Sequence, residues 1–166
     1  LFGLLAYVLG GLLDALTSFR TVAMKTQFTL VATAQQELAL YGAASMMFLG
    51  AIYFLVPRLT GRTWASGGLI AGHRFLTRLG LLLLLVGLAI GGWVQGGDLL
   101  NAKVAFADIA AHIKPWLLVV TAGHAVLLLA NLLLLVNFCR SACACSPAAP
   151  ATNLFRQPST LEATAS

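Results

Sequence analysis

The sequence predicts an all-α, polytopic membrane protein with four transmembrane helices, and three observations carry that prediction. Hydrophobic residues make up 60% of the chain and charged residues only 9%. Mean hydropathy is +0.92, whereas a soluble domain of this size needs far more charge to cover its surface. Four runs are long and apolar enough to approach the ~20 helical residues that cross a hydrocarbon layer. Unpaired backbone groups are not tolerated in lipid, so these runs are expected to be helices rather than open strands.

The expected helices cover about 1–17, 28–56, 75–94 and 115–138, with a flexible cytoplasmic tail over 139–166. The first run is short for a span. The chain opens at Leu1 within it, with no basic start or small-residue cleavage site, so we read no secretory signal; either residues precede Leu1, which would add a leading turn, or translation starts unusually. Pro57 is expected to end the second helix, because it lacks a backbone N–H and restricts the residue before it. Gly61, Gly67, Gly68 and Gly72 then predict a turn-rich loop, and Gly96-Gly97 the close of the third helix. Beyond Ser141 the tail is mostly Ala, Ser, Thr and Pro, a composition that does not support a packed core.

Topology follows the basic residues. Arg58, Arg62, Arg74 and Arg78 cluster between the second and third helices without an acid, and Arg140 and Arg156 follow the fourth. These ends are expected to face the cytoplasm. Lys103 and Lys114 are offset by Asp98 and Asp108 on the other side, where Arg20 and Lys25 are a minority against the rule. Trp93 and Trp116 fit an interfacial belt on that outer side. The net charge of +5 is mostly this topological signal; a nucleic-acid partner would need a basic stripe on a soluble surface, and the sequence has none.

The most informative stretch is Gln27-Phe-Thr through Gln35-Gln-Glu37 to Leu40-Tyr-Gly42, followed by Ile52-Tyr-Phe-Leu-Val-Pro-Arg-Leu59. With Ser18-Phe-Arg-Thr-Val22, Gly61-Arg62, Leu69-Ile70, His73, Trp93-Val-Gln-Gly96 and Asn137, it resembles the C-terminal part of the catalytic subunit of cbb(3)-type cytochrome c oxidase, a haem-copper oxidase. The resemblance runs from Ser18 to Arg140. It implies that the four helices correspond to the last four of a twelve-helix subunit I core. It also implies that two histidines one residue apart would bind the low-spin and high-spin haems. Those positions are Gln35 and Glu37 here, and a further family histidine corresponds to Gln27. An amide is a poor iron ligand where imidazole is a good one. The family's copper ligands and cross-linked tyrosine belong to earlier helices, outside this sequence.

No cofactor is therefore expected on this chain, and no catalytic or metal-ligating residue is assigned. The expected role is a non-catalytic structural subunit of a membrane-bound respiratory or photosynthetic electron-transfer complex. Its partners would be other membrane subunits and lipid, in a bacterial inner membrane, with the C-terminus cytoplasmic. The alternative is the C-terminal fragment of a split oxidase taking part in oxygen reduction, which would bring haem b back. A transporter using Glu37 is disfavoured, because paired broken helices are missing from the pattern.

Several side chains carry narrower expectations. Glu37 would lie about 14 Å along its helix, where a carboxylate needs a partner, water or a proton. His124 lies at nearly the same depth, so a buried Glu37–His124 contact is within reach, as polar packing in preference to a proton relay. His73 is expected at the cytoplasmic interface and His112 in the outer loop. Gly87 and Gly91, like Ala6 and Gly10, have the four-residue spacing that lets helices approach closely in lipid, and are expected to support assembly. Cys139, Cys143 and Cys145 lack a fourth ligand for zinc and are expected to be unmodified thiols. No Cys-x-x-Cys-His site for covalent haem is present.

Overall fold

The computed structural model describes residues 1–61 and 63–143. Arg62, Cys145, Arg156 and the tail from 144 onward, with the expectations placed on them, lie outside the described residues. Five helices account for most of the described chain: α1 (Phe2–Thr17), α2 (Arg20–Thr26), α3 (Leu30–Thr60), α4 (Gly67–Leu99) and α5 (Phe106–Cys143). Three of them, α3, α4 and α5, are long and apolar enough to cross a membrane, and a fourth span results if α1 and α2 are taken together.

The first expected helix, about 1–17, is α1, which extends about 24 Å. The chain then turns by 104° into α2. Thr17 and Ser18 hydroxyls donate to the carbonyls of Leu13 and Asp14, satisfying acceptors that the ending helix leaves free.

The longest helices begin earlier and end later than glycine and proline suggest. Instead of forming a loop, Gly67, Gly68 and Gly72 belong to α4, whose start is capped by the Ser66 hydroxyl accepting from Leu69 N. Asn137 reinforces that start from α5: its Oδ1 accepts from Ser66 N at 3.1 Å while its Nδ2 donates to Ser66 O at 3.2 Å. The α4 helix runs on through Gly96-Gly97. Likewise α5 starts at Phe106, carries Pro115 inside it, and continues past 138 to Cys143. Cys139 and Cys143 are consequently exposed positions on a helix rather than in a tail.

Pro57 does not stop α3 either. Its missing N–H frees the carbonyl of Tyr53, and Trp64 Nε1 donates to that oxygen at 3.3 Å. The helix ends three residues later, where Gly61 takes a left-handed φ of 64° that few other residues adopt without strain. Within α3, Leu38–Ser45 form a π-helical stretch directly after Glu37. There the Ser45 hydroxyl donates to Leu40 O, and Gly42 brings the backbone against Leu38 and Ala6.

The core of the bundle is the antiparallel α4–α5 pair. Gly80, Leu84, Gly87 and Gly91 on α4 face Leu127, Gly123, Val120 and Trp116 on α5, both sets at spacings of three and four residues. A Cβ added at Gly80 would lie 3.0 Å from Gly123 O, and one at Gly87 3.0 Å from Trp116 O. These are backbone-to-backbone approaches of the kind that packing in lipid requires. Gly87 and Gly91 are thus engaged inside the chain, not at the surface where another subunit would dock. The α3 helix packs on this pair through Leu30, Val31 and Ala34, and α1 packs on α3 through Gly3 and Ala6.

Two predictions come from this packing. A Cβ at Gly96 would overlap Lys25 O, while one at Gly11 would meet nothing within 4 Å. Gly96→Ala should lower unfolding stability in mild detergent by about 3 kcal/mol, and Gly11→Ala should leave it near wild type. Equal melting curves for the two would refute the close approach. Asn137→Ala, which removes both bonds to Ser66, should cost about 2 kcal/mol in the same measurement, and an unchanged melt would show that the clamp contributes nothing.

Candidate functional site

Polar side chains inside an apolar bundle are the natural place to look for chemistry, because each must find a partner there. The α2–α3 junction is built from several. Phe28 adopts a positive φ of 63°, which reverses the chain before α3. Thr29 then caps the helix, its hydroxyl accepting from Val31 N and donating to Thr26 O at 2.7 Å. Gln95 on α4 completes the cap by accepting from Leu30 N at 2.9 Å. Just below, Gly92 and Gly96 allow α4 to touch the backbone of Val31 and Lys25. Lys25 Nζ lies 4.0 Å over the Trp93 ring, a cation–π contact that accommodates this cation on the side where it breaks the charge pattern.

Gln35 faces α1. Its Nε2 donates to Asp14 Oδ1 at 3.1 Å and to Thr17 Oγ1 at 2.9 Å, tying α3 to the end of α1. A cleft of about 630 Å³ opens beside it, lined among others by Tyr7, Gly11, Asp14, Ala39 and Met47. Gln27 is exposed at the end of α2, with its backbone N donating to Ala23 O.

Glu37 and His124 are not joined. His124 is exposed on α5, and its Nδ1 lies 3.0 Å from Val120 O of its own helix. Glu37 is partly buried, and its Oε2 is the one buried side-chain oxygen or nitrogen left without a partner among the described residues. Equal depth on two helices does not make two side chains face one another: Gly123 takes the seam, and its neighbour His124 is carried outward.

A second polar group, at the other end of the bundle, was not expected. His73, next to Arg74 on α4, is 2% exposed, its side chain buried inside the bundle. Tyr53 Oη contacts its Nδ1 at 2.5 Å, Thr77 Oγ1 lies 3.3 Å from its Nε2, and the Thr77 hydroxyl donates to His73 O at 2.6 Å. Counting donors assigns the tautomer. The Thr77 proton is used on the carbonyl, so Nε2–H donates to Thr77 and Nδ1 accepts from the Tyr53 hydroxyl. Both ring nitrogens are occupied, and His73 has no free lone pair for a metal. His112 lies on α5 rather than in a loop, and pairs with Asp98 at 2.9 Å.

A haem can be tested against these donors. Gln35 offers an amide already committed to Asp14 and Thr17, Glu37 a carboxylate, and the buried His73 ring is saturated. Gln35, Glu37 and His73 do not fit iron coordination by imidazole, whereas His124, exposed on α5 with its Nδ1 against Val120 O, keeps its Nε2 uncommitted among the described residues. Among the described residues no group of three or more His, Cys, Asp and Glu side chains is placed to hold a metal ion.

The geometry yields a further prediction. Removing an unpaired buried oxygen should not destabilise, so Glu37→Leu should melt within about 1 kcal/mol of wild type or above it. Gln35→Ala, which cuts two helix-to-helix bonds, should lose about 1 kcal/mol. A loss of more than about 2 kcal/mol in Glu37→Leu would mean that Glu37 has a partner after all.

Comparison with known proteins bears on these positions. A search of curated proteins gives no match. The family model for Cytochrome C and Quinol oxidase polypeptide I matches residues 1–126, most of the chain and all of the helices that carry Gln35, Glu37 and the α4 glycines. The chain is a multi-pass, all-helical membrane protein that belongs to the cytochrome c and quinol oxidase polypeptide I family.

Proposed function

We propose that this chain is a non-catalytic structural subunit of a membrane-bound respiratory or photosynthetic electron-transfer complex, built on helices of the cbb(3)-type subunit I kind. The observation that carries the proposal is the use made of Gln35. On this reading the positions of the two family haem ligands hold Gln35 and Glu37, and Gln35 is a hydrogen-bonding staple between α1 and α3. Such a side chain supports packing and gives nothing to iron or oxygen. Membership of the family supplies the fold; the site must supply the chemistry, and the donors required are replaced.

In this reading the chain sits in a bacterial inner membrane with the Arg58–Arg78 end and the C-terminus cytoplasmic, following the bias of basic residues. Its neighbours are membrane subunits with their own redox groups. The unpaired Glu37 oxygen and the apolar faces of α1 suit coverage by such neighbours and by lipid.

The test is a subunit inventory by mass spectrometry on the complex isolated in mild detergent, together with haem quantified per polypeptide. The expected result is that the haem present is accounted for by complete redox subunits and is unchanged in Gln35→Ala. A partner bearing copper-ligand histidines, with haem b lost on altering Gln35 or Glu37, would establish a split oxidase instead.

A further inference from the structure

At the end of the bundle away from Gln35, α1, α3 and α4 enclose a cleft of about 480 Å³, lined among others by Phe2, Leu49, Tyr53, Ile70, Arg74 and Arg78. Its two arginines are one helical turn apart on α4, so their side chains share a face. They flank the stripe of His73 and Thr77, whose hydrogen bonds to each other and to Tyr53 fix the floor of the cleft. Trp64 closes one side, edge-on to Tyr53 at 5.6 Å between ring centroids.

Nothing among the described residues balances the charge here. Among the described residues the carboxylates are Asp14, Glu37, Asp98 and Asp108, and none is within ion-pairing distance of either guanidinium. The depth is also specific. Between Arg78 and Asp98 α4 carries no charge over 19 residues, about 28 Å, so both arginines stand at the edge of the hydrocarbon layer, at headgroup level. On the side toward the bilayer centre the lining from α1 and α3 is Gly3 and Met46.

We infer that this cleft binds the phosphate of an anionic phospholipid between Arg74 and Arg78, with an acyl chain leaving past Gly3 and Met46 toward the bilayer centre. Two guanidiniums present forked donors that match phosphate oxygens, and a basic pocket between transmembrane helices attracts anionic headgroups. Free phosphate offers the same oxygens without the acyl chain. The inference is independent of whether the chain carries haem.

The experiment uses the full chain, delipidated in neutral detergent and titrated with fluorescent phosphatidylglycerol, with phosphatidylcholine and inorganic phosphate as separate arms. Phosphatidylglycerol should bind saturably and the other two should not. Arg74→Gln and Arg78→Gln should each weaken binding about fivefold, and the double variant more than tenfold. Arg58→Gln should leave binding unchanged, because Arg58 lies outside the cleft, 4.0 Å over the ring of Phe54. Equal binding of phosphatidylcholine, or of inorganic phosphate, would overturn the assignment, as would a loss in Arg58→Gln as large as in the cleft variants. If the double variant does not accumulate, comparison of the lipid arms on the wild-type chain decides alone.

Discussion

Along the α4–α5 seam two helix backbones meet with almost nothing between them, Gly80 against Gly123 and Gly87 against Trp116 O. In lipid no hydrophobic effect drives helices together, so dispersion across a close, well-matched contact has to do it. Every other element takes its position from that pair. The α3 helix lies on it through Leu30, Val31 and Ala34, near Leu84 and Leu88. The α2 helix is seated where Gly96 leaves room for Lys25 O. Only then does α1 find its place, on the side of α3 opened by Gly42 and closed by Ala6 and Leu38. A substituent anywhere on the α4 stripe would therefore be felt through three layers of helix.

The polar side chains follow the same logic. Gln95 completes the start of α3, Asn137 the start of α4, and Gln35 the junction with α1. An amide suits this use because it carries a donor and an acceptor, has no charge to desolvate, and matches the peptide group it replaces. Trp64 does comparable service for the carbonyl that Pro57 leaves open. The outcome is a bundle in which nearly every buried polar atom is satisfied within the chain, with the Glu37 oxygen as the exception among described residues.

Fold class was legible in the sequence because composition and run length are properties of the solvent the chain must live in. Helix ends were not, because glycine and proline break helices in water and do not do so at these positions. Gly67, Gly72 and Gly96 instead continue α4: Gly96 serves a close approach to Lys25 O, while a Cβ at Gly67 would meet nothing within 4 Å. The polar pairs were hidden for another reason. Tyr53 and His73 are 20 residues apart, and Asn137 and Ser66 are 71 apart, so no local pattern records them. Depth along an axis is readable from residue number; the direction a side chain points is set by tertiary packing, which is why Glu37 and His124 share a level without meeting.

This separation would also let a family frame persist if its chemistry changed, as the proposed reading holds. The close contacts that assemble the bundle lie on α4 and α5, at Gly80, Gly87, Gly91 and Gly123. The positions that the proposed reading assigns to former haem ligands lie on α3, at Gln35 and Glu37, outside the seam. Exchanging an imidazole for an amide there leaves the α4–α5 contact untouched, and the amide gains bonds to Asp14 and Thr17 that fasten α1. Under the proposed reading, iron chemistry and folding would therefore make their demands on different helices, and a change at Gln35 or Glu37 would leave the seam that assembles the bundle as it is.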